Sequence, residues 1–159
     1  TTSSESKMGA CRRFGAELAL DRRDPAWPAR LRDAWGGVDV ILDMVGADAA
    51  EAAFELLDVG GRLVWIAALS GSHLEVDVRT LMRKRLTLKG STLRSRPLEE
   101  KIALRDAFLA RFGGDLEVGR IVPVVHEVVP IGDVERAHAL LRANATIGSL
   151  VLRIDGDQG

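Results

Sequence analysis

One stretch constrains this chain more than any other. Val38-Asp-Val-Ile-Leu-Asp-Met-Val-Gly46 is followed by Ala47 to Val59, and then by Gly60-Gly-Arg-Leu-Val-Trp-Ile66. The run from Val38 to Leu42 is apolar except for Asp39 near its entry, the pattern of a central parallel strand covered on both faces. A glycine turn at Gly46 comes next, then a helix to Val59 with Ala50, Ala53, Phe54 and Leu57 inward. Gly60-Gly61 reads as its stop, and Arg62 to Ile66 as a second strand. Strand, helix, strand is the βαβ unit of a parallel sheet. The expected fold is α/β, and the carboxyl ends of such strands are where open α/β sheets bind ligands.

The flanking sequence extends this alternation. Thr1 to Ser3 reads as the end of a strand, with Ser4 as the N-cap of a helix running to Phe14 and stopped by Gly15. Leu18-Ala-Leu20 is a short buried strand candidate. Asp24-Pro25 is a helix start, with Trp27, Leu31, Ala34 and Trp35 on one apolar face and Gly36-Gly37 as the stop. Leu86 to Ser91 is a further strand. Leu98 to Phe112 reads as a helix ended by Gly113-Gly114, with Leu104, Ala107, Phe108 and Phe112 inward. Val122 to Val129 is extended, Ile131 to Asn144 is a helix burying Val134, Ala137, His138 and Leu141, and Gly148 to Ile154 is a last strand. Asp155 to Gly159 is expected to be a frayed tail. No repeat and no internal domain boundary stands out, so one domain is expected.

Bulk properties narrow the function. A net charge of −1 sets up no whole-chain field for nucleic acid or for an anionic membrane. No apolar run reaches the ~20 residues that span a bilayer, and no signal-peptide pattern is present. The single cysteine, Cys11, forms no internal disulfide, so a reducing, cytoplasmic setting is expected. His73 and His126 have no cysteine or carboxylate at metal-ligand spacing, which argues against zinc. His138 lies on an apolar helix face and reads as a packed structural histidine. Ser70-Gly-Ser72 is not the Gly-x-Ser-x-Gly elbow of an acyl-transfer enzyme. Asp43 reads as a strand-end residue whose carboxylate bonds local N–H groups. No residue reads as a general acid or base.

Taken in order, Phe14-Gly-Ala16, Val40 to Gly46, Gly60-Gly-Arg-Leu-Val64, Ser91-Thr-Leu-Arg-Ser-Arg96, Pro130-Ile131 to His138, and Asn144 to Leu152 form a recognisable series. The chain resembles the cofactor domain of the medium-chain dehydrogenase/reductase superfamily, in its zinc-free, zeta-crystallin-like quinone oxidoreductase branch. The resemblance covers essentially the whole chain. It implies a doubly wound, Rossmann-like parallel sheet that lacks its first strand, its glycine-rich turn and its first helix. That strand is normally central, between the second and the fourth, so its loss leaves a gap in the sheet. Residues 1–159 are then part of a dinucleotide-binding domain, with the family's carboxy-terminal helix and strand at about 122–154. The amino-terminal catalytic domain would belong to a longer enzyme, and the isolated chain is expected to be inactive.

The resemblance also implies a site. Ser4 and Lys7 would meet the adenosine ribose; hydroxyls and a lysine, in place of a strand-end acid, suit a 2′-phosphate and hence NADPH over NADH. Arg22 would stack on the adenine or add a phosphate contact. Val45 and Gly46 would lie against the nicotinamide ribose, with Ile66, Ala67, Ala68 and Leu69 in the corresponding place after the next strand. Leu93 and Asn144 would complete the pocket. Ala67 stands where the family commonly has glycine, and Ser149 where many members have lysine. The implied reaction passes hydride from NADPH to a small-molecule quinone or α,β-unsaturated carbonyl, without metal. An enoyl-reductase module of a polyketide or fatty-acid synthase shares this domain, and a non-catalytic binding or dimerisation module is the alternative of another class. Strand Leu86-Ser91 would form an open sheet edge that pairs in a homodimer, Leu86 and Leu88 alternating with Thr87 and Lys89.

Overall fold

The structure, a computed structural model, describes residues 1–154; the tail expected at Asp155 to Gly159 lies outside the described residues. The chain divides into two compact units, Thr1–Lys101 and the residues from Ile102 onward, where the sequence suggested one domain.

The first unit is built on a parallel sheet. Helix α1 (Glu5–Arg13) is capped by Ser4, whose hydroxyl accepts from Lys7 N–H at 3.3 Å; Glu5 in its first turn and Arg12 and Arg13 in its last complement the helix dipole. Helix α2 (Trp27–Trp35) begins later than the Asp24-Pro25 signal suggested. Asp24 Oδ1 instead accepts from Ala26 N–H at 2.9 Å, and Pro28 occupies the first turn. Then come β1 (Val38–Asp43), α3 (Ala47–Leu56), β2 (Leu57–Trp65), α4 (Val78–Lys84) and β3 (Thr87–Gly90). The order β1-β2-β3 is parallel throughout, with Asp43 level with Trp65 and Trp65 level with Gly90. All three strands therefore release their loops at one edge.

Several boundaries differ from expectation, each for a local reason. Helix α3 ends at Leu56, and Leu57 already has extended dihedrals of −63° and 133°. Lys84 Nζ donates to the carbonyls of Phe54, Glu55 and Leu57 at 2.9, 2.7 and 2.7 Å, closing the helix from outside. Burial pulls this ammonium's pKa below its usual value, with Arg32 and Arg83 adding to the effect. Gly60-Gly61 is thus no helix stop; it lies within β2, where the pairing with β1 shifts register between Val38 and Val40. Leu18-Ala-Leu20 forms no strand of its own. Ala19 and Leu20 are buried, and pairing there is one parallel bridge, Thr2 to Asp21.

The core packs Ala53, Leu57 and Leu63 against Ile41, Phe54, Trp65, Leu86 and Leu88. Leu63 is fully buried, and each such leucine stabilises by roughly 1.5–3 kcal/mol. The expectation that Val38 to Leu42 is covered on both faces fails. Val40 is 50% and Leu42 63% exposed, because β1 is an edge strand with a groove beside it. Trp35, expected on the inward face of α2, is also exposed.

The second unit contains most of α5 (Leu98–Glu117), then β4 (Val125–Pro130), a 3-10 turn (Ile131–Asp133), α6 (Val134–Arg142) and β5 (Ser149–Arg153). Helix α5 runs through Gly113-Gly114 instead of stopping there, and its expected inward residues Leu104, Ala107 and Phe108 are exposed. Strands β4 and β5 form a two-stranded parallel sheet, β4 starting at Val125 instead of Val122. Of the face expected on α6, Ala137 is buried and Val134 half-buried, whereas Leu141 and His138 are exposed. His138 is therefore not a packed histidine.

Candidate functional site

Two clusters of predicted residues lie in the first unit. At one end, the Thr2–Asp21 bridge joins segments far apart in sequence: Thr2 N–H donates to Leu20 O at 2.9 Å and Arg22 N–H to Thr2 O at 2.8 Å. Arg22 is thereby held against the strand end that leads into Ser4 and α1. Ser6, which sequence reasoning passed over, adds a second hydroxyl 3.1 Å from that of Ser4. Helix N-termini favour anions through their dipole and free N–H groups. Of the acids nearby, Glu5 is turned down the helix to Arg12 at 3.4 Å.

Adjacent arginines have different fates here. Arg23 grips Asp21 with two donors, Nε to Oδ1 at 3.0 Å and Nη2 to Oδ2 at 2.6 Å. That fork holds the Asp21 carboxyl down at about 2 and raises the guanidinium. Arg22 is exposed and forms no salt bridge among the described residues, which leaves its guanidinium available to a ligand.

At the other end is a ledge of strand-end loops. Asp43, 7% exposed, accepts from Val45 N–H at 2.7 Å and Gly46 N–H at 3.1 Å, as expected of a strand-end carboxylate. Gly46 has φ +97°, and a Cβ there would lie 2.5 Å from Gly71 O and 3.0 Å from Ala68 Cα. Only glycine permits this approach. Across the contact, Ala47 N–H donates to Gly71 O at 3.1 Å, Leu69 N–H to Met44 O at 3.3 Å and Ser70 N–H to Val45 O at 2.8 Å. The structure therefore brings Val45 and Gly46 directly against the loop holding Ile66, Ala67, Ala68 and Leu69. Ile66 and Leu69 are exposed, and Ala67 is half-buried. Leu93, 61% exposed, follows β3, whose exit is tied back by Ser91 N–H to Trp65 O at 2.8 Å. Asn144 belongs to the second unit, just beyond α6 at φ +52°.

A groove of about 500 Å³ runs along the exposed flank of β1, and of the predicted site residues Arg22 and Val45 line it. Thr1 and Arg22 line one end, Asp43 and Val45 another part, and Trp27 and Leu31 of α2 face the exposed flank of β1.

Comparison with known proteins places this architecture. The family described as zinc-binding dehydrogenase matches residues 1–108. The chain belongs to that family. Over 155 residues it is 27% identical to the quinone oxidoreductase of Lama guanicoe, covering 96% of this chain and 45% of the relative. It is 30% identical over 164 residues to a highly reducing polyketide synthase of Aspergillus terreus (strain NIH 2624 / FGSC A1156), covering 98% of this chain and 6% of that protein. A mycobacterial quinone oxidoreductase of known structure superposes with a TM-score of 0.73 at 31% identity, covering 95% of this chain and 47% of that one. The chain thus spans about half the length of the quinone oxidoreductases it matches, and its Rossmann-like α/β fold is theirs.

The family's name raises the question of zinc. Among the described residues no three His, Cys, Asp or Glu side chains gather to hold a metal ion. His73 Nδ1 faces Ser72 Oγ at 3.1 Å, and His126 Nδ1 accepts from Ile147 N–H at 3.4 Å. The donors among the described residues do not fit a zinc centre.

Proposed function

We propose that this chain is the dinucleotide-binding part of a longer oxidoreductase that uses NADPH to reduce a quinone or an α,β-unsaturated carbonyl. The observation that carries the reading is the meeting of Val45 and Gly46 with the loop of Ile66 to Leu69 at the exits of parallel strands β1 and β2, with Arg22 tied to the strand end at Thr2. A dinucleotide is an extended ligand with an anionic end and a nicotinamide end, and this unit offers a cationic, hydroxyl-bearing cluster and a backbone ledge at the strand exits. When bound, the cofactor supplies a hydride. The residues of this chain bind, orient and exclude water. Ser4, Ser6, Lys7 and Arg22 would hold the adenosine 2′-phosphate. Val45, Gly46 and Ile66 to Leu69 would fix the nicotinamide side, with Leu93 shielding it. Substrate would sit against a further domain, and residues 1–159 alone would bind cofactor without turnover.

Affinity tests this directly. Charge-assisted contacts of roughly 1.5–3 kcal/mol make NADPH at least about tenfold tighter than NADH. Lys7→Ala should narrow that margin. Equal dissociation constants in the unmodified protein would defeat the reading.

A second reading, an enoyl-reductase module of a polyketide synthase, is favoured by the 30% identity to the Aspergillus terreus protein. Both readings use the same cofactor site and differ in the acceptor, an acyl enone in place of a quinone. Association follows the same logic. Strand β3 is an edge, with Leu88 packed on the core and Thr87 and Lys89 exposed. We infer that this edge, Leu86-Ser91, pairs with a second copy in a homodimer. Leu88→Pro removes a ladder donor and should give monomers. Unmodified protein sedimenting only as a monomer at micromolar concentration would contradict the dimer. For the cellular setting, no helix among the described residues is long and apolar enough to cross a membrane. A cytoplasmic enzyme with neither nucleic acid nor membrane as partner is the setting proposed.

A further inference from the structure

We propose that Ser70 is a positioning residue: its hydroxyl fastens the loop after β1 to the loop after β2, so that both act as one rigid ledge beneath the nicotinamide end of a bound dinucleotide. The inference rests on the cofactor reading above. Ser70 Oγ donates to Val45 O at 2.9 Å and accepts from Asp48 N–H at 3.1 Å. Its backbone N–H reaches the same Val45 carbonyl at 2.8 Å, so both lone pairs of that oxygen are taken.

The need for such a group follows from Gly46. It is the N-cap of α3 and has no side chain with which to satisfy the first-turn donors. Gly71 O takes the Ala47 N–H, and Ser70 Oγ takes that of Asp48. The cap of α3 is therefore supplied from the neighbouring loop, 22 positions along the chain from Asp48. Cap and fastening are the same bonds. With Asp43 binding the Val45 and Gly46 N–H groups, the first loop has its polar backbone engaged from two sides. Such a loop presents a fixed shape to a ligand and cannot rearrange to follow it. Fixed geometry of this kind is what positions a reacting ring.

The test compares Ser70→Ala with Ser70→Thr, which retains the hydroxyl. Amide exchange on the 159-residue protein reads the fastening without ligand. In Ser70→Ala, Ala47, Asp48 and Leu69 should lose protection while Leu63 in β2 keeps its own. Affinity reads the positioning. NADPH should weaken by about fivefold or more, and 2′,5′-ADP, which engages only the adenosine end, should be unchanged. Ser70→Thr should restore NADPH to within about twofold of the unmodified protein. A merely structural role would weaken both ligands alike. Equal loss of both, unchanged NADPH affinity, or unchanged protection at Ala47 and Asp48 would each overturn the proposal. If the unmodified protein binds neither ligand, the cofactor reading fails, while exchange still decides the fastening.

Discussion

At the ledge, Val45, Gly46 and Ser70 are fixed by backbone hydrogen bonds, a buried carboxylate and a glycine contact too close for any Cβ. At the other end, Ser4 and Arg22 are brought together by a single β-bridge, and the groups offered to a ligand are side chains, Ser6 and Arg22 exposed and Ser4 and Lys7 half-buried. The difference teaches how one site can divide its work. A rigid rim suits the part of a cofactor whose ring must be placed accurately, whereas cationic side chains suffice to hold a phosphate by charge. Changes at the ledge should therefore register in stability as well as in affinity, and changes at the cationic end in affinity alone.

The largest effect is expected at Gly46. Gly46→Ala forces a non-glycine residue to φ +97° and drives a methyl into Gly71 O, costing about 3 kcal/mol or more in urea unfolding. A loss below about 1 kcal/mol would mean the two loops separate easily, and the contrast between the ends would collapse. Asp43→Ala comes next. It strands the Val45 and Gly46 N–H groups in a site only 7% exposed, with an expected cost of about 2 kcal/mol by the same measurement.

Arg22→Ala sharpens the contrast from the opposite side. Stability should stay within about 0.5 kcal/mol, because the side chain is exposed and unpaired by salt bridges. NADPH affinity, measured by titration, should fall about tenfold, and NADH affinity much less. The smallest effect concerns pH. Asp21 is held at about 2 in the folded chain by its fork to Arg23, against an unfolded value of 3.8. A depressed carboxyl stabilises fully above pH 3.8, and that contribution fades as pH falls toward about 2. Asp21→Asn should flatten this part of the acid unfolding profile. The pair is exposed and screened, so the change is small.

How much of this was legible in the residues depends on what fixes each feature. The βαβ order was, because Val38 to Leu42 and Arg62 to Ile66 carry the apolar density a parallel strand needs. The end of α3 was not, since it is set by Lys84, a residue close only in space. Likewise Gly60-Gly61 resembled a helix stop and is a bulge, a distinction made by pairing with β1. The inward faces assigned to α5 and to His138 failed because periodicity shows which residues could share a face, not whether anything covers it. In the site, Asp43 was readable as a strand-end clamp from its neighbours alone. Ser70 was not: a serine between leucine and glycine has no local signal, and its partners Val45 and Asp48 lie in another loop. Ser6 and the Arg23–Asp21 fork were missed for the same reason, since only the bridge at Thr2 gives them a setting.

A larger cleft offers the clearest rival location. It measures about 860 Å³ beside α3 and is lined by Glu51, Glu55, His73, Thr80 and Arg83, reaching the ledge only at Ala47 and Asp48. The decisive measurement is an amide chemical-shift map of the 159-residue protein titrated with NADPH. The account predicts that Ser4 to Lys7 and Arg22 shift together with Val45, Gly46 and Ala67 to Leu69, saturating at one dissociation constant. Shifts confined to Glu51, Glu55, His73 and Thr80, with both clusters silent, would contradict it.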